Sequence, residues 1–172
     1  MRHVVPEPTE AAPYYFTYIN QVEPGDIAET LVRQGRDVHS TLGHLSEEQS
    51  LHRYAPEKWT IREVLGHIND TERLFVLRAF WFARGFDTPL PSFDQNVAMA
   101  ASGANGRSWR SHVEEFHAVR SATITFFDSL PGEAWTRHGI ASDNPFSVRA
   151  LAYLCAGHAA HHMKILQERY LS

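Results

Sequence analysis

The stretch Ser147-Val148-Arg149-Ala150-Leu151-Ala152-Tyr153-Leu154-Cys155-Ala156-Gly157-His158-Ala159-Ala160-His161-His162-Met163-Lys164-Ile165-Leu166 decides how the chain is read. It has no proline and is rich in Ala and Leu. At about 100° per residue, Leu151, His158, His162 and Ile165 fall on one face of a helix. That face is otherwise apolar. Two imidazoles four residues apart project nitrogens from adjacent turns toward one point, which is the geometry a helix offers a divalent ion. With 11 histidines in 172 residues, chance supplies about 0.7 such pairs, so the motif needs support from elsewhere.

Outward from this helix the chain reads as three more. Ser108 caps a segment whose Trp109, Val113, Phe116, Thr123, Phe127 and Leu130 recur every three or four residues until Pro131-Gly132 stops it. Thr60-Ile61-Arg62-Glu63 is a capping-box pattern that opens a helix running to Arg84-Gly85. Asp26 and Glu29 start a first helix with Ile27, Leu31, Val38, Leu42 and Leu45 as its stripe. Ser147 caps the fourth. No segment carries a convincing strand pattern, and residues around Asp143-Asn144-Pro145 read as a loop. The expectation is an all-α four-helix bundle, one domain over residues 1–172, with long connections after helices two and three and residues 1–12 as a loose arm. Tyr14-Tyr15-Phe16-Thr17-Tyr18-Ile19 is aromatic enough to need a packing partner.

Bulk properties exclude several classes. A chain of this length buries a core without disulfides, and 43% hydrophobic with 21% charged residues is ordinary for a globular protein. The net charge is −4 and Lys and Arg do not cluster, so the footprint of a nucleic-acid binder is missing. No run approaches the ~18–20 apolar residues that span a bilayer, and Arg73, Arg78 and Arg84 interrupt the most hydrophobic helix. The first residues, with Arg2, Glu7 and Glu10 among prolines, do not resemble a secretory signal. A lone Cys155 agrees with a reducing compartment, and a cytoplasmic setting is expected.

A third ligand is sought on helix two. His67 shares an inward face with Thr60, Val64, Thr71, Leu74 and Arg78. Alone it is either a core histidine bonded to a neighbour or a ligand. Joined to the pair on helix four, it would complete three imidazoles from two helices and leave a coordination position for water or substrate.

These segments carry a resemblance to a known family. Trp59-Thr60-Ile61-Arg62-Glu63-Val64-Leu65-Gly66-His67-Ile68-Asn69-Asp70-Thr71-Glu72-Arg73, then Arg78, Ala83-Arg84-Gly85, Thr88-Pro89-Leu90-Pro91 and Phe93-Asp94-Gln95, resemble the DinB-like (YfiT-like) metal-binding proteins. Ser147-Val148-Arg149-Ala150-Leu151 followed by Gly157-His158-Ala159-Ala160-His161-His162 is similar to the family's fourth-helix signature, and Tyr54-Ala55-Pro56 to its connector. The likeness covers residues 13–172 and departs from the family at residues 100–106. It implies an up-down-down-up bundle, a divalent ion held by His67, His158 and His162, and homodimerisation. The family is unrelated to the DNA polymerase of the same name.

Other residues have two readings each. Asp70 either orients a ligand, holds the metal's water or acts as base, or it forms a structural ion pair. Arg78 either grips an anionic substrate or pairs with a carboxylate such as Glu72. Cys155 lies on the side of His158 and could reach the metal, although burial as a small hydrophobe is favoured. His161 sits ~100° around the helix from His162, at the edge of the site. Arg120 is assigned no chemistry, and His39, His44, His112 and His117 read as surface or rim residues.

Function then divides into two classes. In the first, the ion, with Zn or Ni favoured among metals that suit imidazole, activates water or the thiolate of a low-molecular-weight thiol against a small electrophilic substrate. The resemblance supplies both versions, hydrolase and thiol S-transferase. In the second, a non-enzymatic bundle uses the ion for stability or stress sensing, which calls for a filled coordination sphere with Cys155 or Asp70 as fourth ligand.

Overall fold

The computed structural model describes residues 2–171; Met1 and Ser172, the ends of the expected domain and arm, lie outside them. Four long helices carry the fold: α1 Ile27–Leu42, α2 Ile61–Ala83, α3 Trp109–Asp128 and α4 Val148–Arg169. Each begins at a side chain that satisfies an otherwise orphaned backbone N–H. Asp26 accepts from Ala28 N and Ser108 from Ser111 N. At α2 the capping box is complete: Thr60 Oγ1 accepts from Glu63 N, and the Glu63 carboxylate accepts from Thr60 N. Gly85, at φ +82°, turns the chain away after α2 in a conformation that favours glycine.

Side-chain contacts fix how the helices meet. Gly35 of α1 lies against the Arg120 stem of α3, and Trp109 Nε1 donates to Leu42 O at 2.9 Å. Gln34 Nε2 donates to Ala156 O, joining α1 to α4. The Tyr170 hydroxyl, just past α4, donates to Trp59 O, just before α2, while about two turns further into α2 His67 meets His158, about three turns back along α4. These two therefore run antiparallel. At the centre Arg120 of α3 forms a two-pronged pair with Glu72 of α2, at 2.9 Å from Nε and 2.7 Å from Nη2. Its remaining N–H groups reach Leu31 O and Gln34 Oε1 of α1. Both charges are buried, so one ion pair ties three helices.

α4 is the innermost element, and every residue from Val148 to Ala159 is buried. That explains the weak polar face of its sequence: the helix meets protein on all sides. Leu151, Tyr153 and Leu154 are wholly enclosed, the two leucines each contributing about 1.5–3 kcal/mol by burial.

Two expectations are corrected. The residues around Asp143-Asn144-Pro145, read as a loop, belong to a hairpin of β1 His138–Ala141 and β2 Asn144–Ser147, with Gly139 opposite Phe146 and Ala141 opposite Asn144. Its turn residues Ser142 and Asp143 have φ of 50° and 59°, the backbone sign of a tight type I′ turn. Strands of four residues with a proline among them leave no period-two signal to read. The stretch read as a loose arm is pinned: Glu10 pairs with Arg149 and accepts from the Ser147 hydroxyl, Ala11 bridges to Phe146, and Arg2 pairs with Asp128. A carboxylate at the start of α4 complements the helix dipole. Among the described residues no helix is long and apolar enough to cross a membrane.

Candidate metal centre

His67, in the first half of α2, and His158 and His162, in the second half of α4, turn toward one another across the seam between the two helices. His67 Nε2 lies 3.0 Å from His158 Nε2, and His162 Nε2 lies 3.1 Å from the same atom. All three ligand-capable nitrogens fall within 4.8 Å of one another. Hydrogen bonding does not satisfy this arrangement. An imidazole Nε2 has one in-plane position, holding either a proton or a lone pair, yet His158 Nε2 faces two neighbours. A cation shared by three lone pairs resolves the conflict. With metal–nitrogen bonds of about 2.0–2.1 Å, tetrahedral ligand nitrogens stand roughly 3.3 Å apart, close to the two short separations here. The residues fit a divalent ion.

The environment keeps these rings neutral. Burial pulls the His67 pKa from 6.5 down to about 4, and burial with the neighbouring His67 and His161 takes that of His162 down to about 3. Burial, then the adjacent His162 and His67, places His158 well below the ordinary histidine value. Neutral imidazoles present lone pairs at pH 7. Thr71 Oγ1, one turn after His67, stands 3.3 Å from His67 Nδ1 and can fix the tautomer that leaves Nε2 free. Trp59 and Phe75 pack against the rings of His67 and His158, which limits their rotation.

Beside His67 and His158 is a cleft of about 180 Å³. Its outer wall is the tyrosine-rich segment, which sequence reading left without a partner. The segment forms a 3-10 turn at Pro13–Tyr15 and a helical turn at Phe16–Ile19. Tyr18 stands edge-on to both His158 and His161. The Tyr18 and Tyr14 hydroxyls are 3.0 Å apart. Burial, then the Tyr14 hydroxyl, raises the Tyr18 pKa, so it remains a phenol. His67, His158 and Arg78 all line this cleft.

The other candidates separate. His161 lies at the rim, half-buried, its Nδ1 3.3 Å from Gln21 Nε2. Asp70 does not join the histidines: it turns toward α3, lining a separate hollow with Arg107, His112 and Glu115, 3.4 Å from Arg73. Burial, then Glu115 after the opposing pull of Arg73, raises its pKa. Cys155 is buried in the core rather than in the cleft, and desolvation raises its thiol pKa well above the ordinary value. Arg78 does not pair with Glu72, which Arg120 occupies; it donates instead to Ser142 Oγ at 2.6 Å and Pro91 O at 3.2 Å. His112, read as a surface or rim residue, is fully buried with Nε2 2.9 Å from Ala104 O.

A model of the DinB superfamily matches residues 30–166. The chain belongs to the DinB superfamily. The span includes both histidine motifs, so the family likeness read from those residues holds. None of the curated proteins matches the sequence. Among solved structures the DinB chain is similar to YfiT from Bacillus subtilis, described as "a probable metal-dependent hydrolase with an unusual four-helix bundle topology". The two share 13% identity over 96% of this chain and 91% of that one, with a TM-score of 0.74. At that identity the likeness is one of fold. Sequence reading missed two parts of the DinB site, the Tyr18 wall and the Glu10 anchor behind it, because both act across more than a hundred residues of chain. The aromatic run was the one available signal.

Proposed function

We propose that this DinB-superfamily protein is a metal-dependent enzyme in which His67, His158 and His162 hold one divalent ion, Zn or Ni by preference, at the inner end of the cleft. The observation that carries the reading is the convergence of three neutral imidazole nitrogens on one point beside a space that admits a small molecule. Such an ion, when bound, supplies Lewis acidity that lowers the pKa of water or a thiol. The chain's own residues do the rest. The imidazoles fix the position of the reacting group, Tyr18 and Phe75 exclude bulk solvent, and Arg78 orients the substrate from the far wall.

The co-reactant is either water, giving a hydrolase, or a low-molecular-weight thiol, giving an S-transferase. The non-enzymatic alternative calls for a fourth protein ligand. Among the described residues the metal-capable group contains three, and both Cys155 and Asp70 are directed elsewhere, which favours the enzyme. An up-down-down-up order of helices, supported by the crossings of the bundle, belongs to the same proposal. So do a cytoplasmic setting, agreeing with a lone buried thiol, and a homodimer, agreeing with exposed Leu77 and Phe80 on α2.

The test is metal quantification in wild type and His67→Ala, followed by cobalt substitution. The wild type is expected to hold about one ion per chain and the variant to lose most of it. Equal content in the two overturns the ligand assignment. A change in the cobalt spectrum on adding a thiol selects the transferase; no change with any cellular thiol, together with turnover of ester or amide substrates, selects the hydrolase.

A further inference from the structure

Arg78 is out of place for a structural arginine. Its side chain is buried, at 2% residue exposure, yet among the described residues no carboxylate pairs with it. Its Nε has no hydrogen-bond partner, and its Nη2 reaches only neutral oxygens, Pro91 O and Ser142 Oγ. The ring of Phe146 lies 5.7 Å from the guanidinium carbon, and Tyr15 is beside it. Every other buried arginine, Arg62, Arg120 and Arg149, has an acidic partner in Glu47, Glu72 and Glu10 respectively. A desolvated cation facing neutral groups is costly unless an anion arrives to meet it. Two separate segments hold it in place, the Ser142 turn and the Pro91 loop, and Arg78 itself lines the cleft.

We infer that Arg78 is the anion-binding end of the cleft and that the substrate is a small organic monocarboxylate, whose carboxylate pairs with Arg78 while its reacting end lies at the three histidines. This rests on the proposed function for its reacting end only. Arg78 and His67 line the same cleft, and no Asp, Glu or Lys lines it. One guanidinium with no second cation matches a singly charged carboxylate better than a phosphate dianion, and its planar fork suits the two carboxylate oxygens. The residues stand 11 apart on α2, about 16 Å of helix rise. Long side chains on a helix lean back toward its start, which brings the span between the charged and reacting ends to on the order of 10 Å. The substrate is therefore elongated, with an apolar middle that passes Leu74 and Phe75.

The experiment measures calorimetric binding of octanoate and octanol to metal-free wild type and to Arg78→Met. It then measures a series of ω-mercaptoalkanoates, from propionate to undecanoate, against the metal-loaded protein. Wild type is expected to prefer octanoate over octanol by about ten- to a hundredfold, the range of a charge-assisted hydrogen-bonded pair, and Arg78→Met to lose that preference. Affinity in the thiol series should peak at an intermediate length. Equal binding of acid and alcohol by wild type overturns the inference, as does a preference that survives in folded Arg78→Met. Should the variant fail to fold, the wild-type comparison and the length series decide; a monotonic series with no acid preference overturns it. Failure of the metal assignment appears separately, as wild type without bound ion that still prefers octanoate.

Discussion

The backbone carbonyl of Tyr18 occupies the space a β-carbon on Gly157 would need. One turn of α4 thus presents both the bare backbone that seats the outer wall of the cleft and, at the next position, the ligand candidate His158. Gly157→Ala forces the tyrosine segment away, because the obstacle is backbone rather than the end of a flexible side chain. We expect a loss of about 1–3 kcal/mol of stability by thermal unfolding. Metal content should be largely kept, with ligand affinity reduced; a variant with unchanged stability and affinity would show that the segment yields freely.

Acid should weaken the metal-free protein. His67 titrates at about 4 in the folded chain against an ordinary 6.5, and His162 at about 3. Protons therefore bind the unfolded state first as pH falls. The stability held above pH 6.5 is lost progressively between 6.5 and about 3 to 4, and denaturant melts at stepped pH will show the fall. Changing His67 and His162 to Gln should flatten the curve in that window.

The Glu72–Arg120 pair gives a stability test away from the cleft. Glu72→Met or Arg120→Met alone strands a buried partner, and about 3–5 kcal/mol of destabilisation is expected for each. The double change to apolar residues should cost much less than the sum, because both desolvation penalties disappear together. Chemical denaturation of the four proteins closes the cycle.

Cys155 should be inert in the native state. Its thiol is buried and its pKa is raised, first by desolvation and then by Glu72, so little thiolate exists at pH 8. A thiol reagent is expected to react at the rate of unfolding, and Cys155→Ala should leave metal content unchanged. Fast native-state modification would place the sulfur nearer the surface than the core contacts allow.

How much of this the sequence disclosed depends on the distance over which each signal acts. The caps at Asp26, Thr60, Ser108 and Ser147 lie within three residues of the groups they satisfy, so local chemistry revealed them. The histidines on α4 share one helix and were legible as a pair; the inward face of α2 offered His67 as the third, and the family likeness then implied the same three. Arg78 and Glu72 were read as possible partners because they lie on one helix, whereas the true partner of Glu72 came from α3, 48 residues on. Asp70 shared a segment with His67 yet turned to another face, and sequence proximity overstated its role. The hairpin and the Glu10 anchor depend on tertiary contacts that leave no period in the chain.

The division of labour around Gly157 has a consequence for diversification. The helices that hold the imidazoles and the short tyrosine stretch that meets an incoming molecule are different pieces of chain, docked by the buried Ile19, the Tyr18 backbone against Gly157, a few ring edges and the Glu10 anchor. Exchanging Tyr14, Tyr15 or Tyr18 would change which compounds are admitted without moving the imidazoles. A common scaffold of this kind can acquire new reactants through a handful of changes in one brief stretch, leaving its interior untouched.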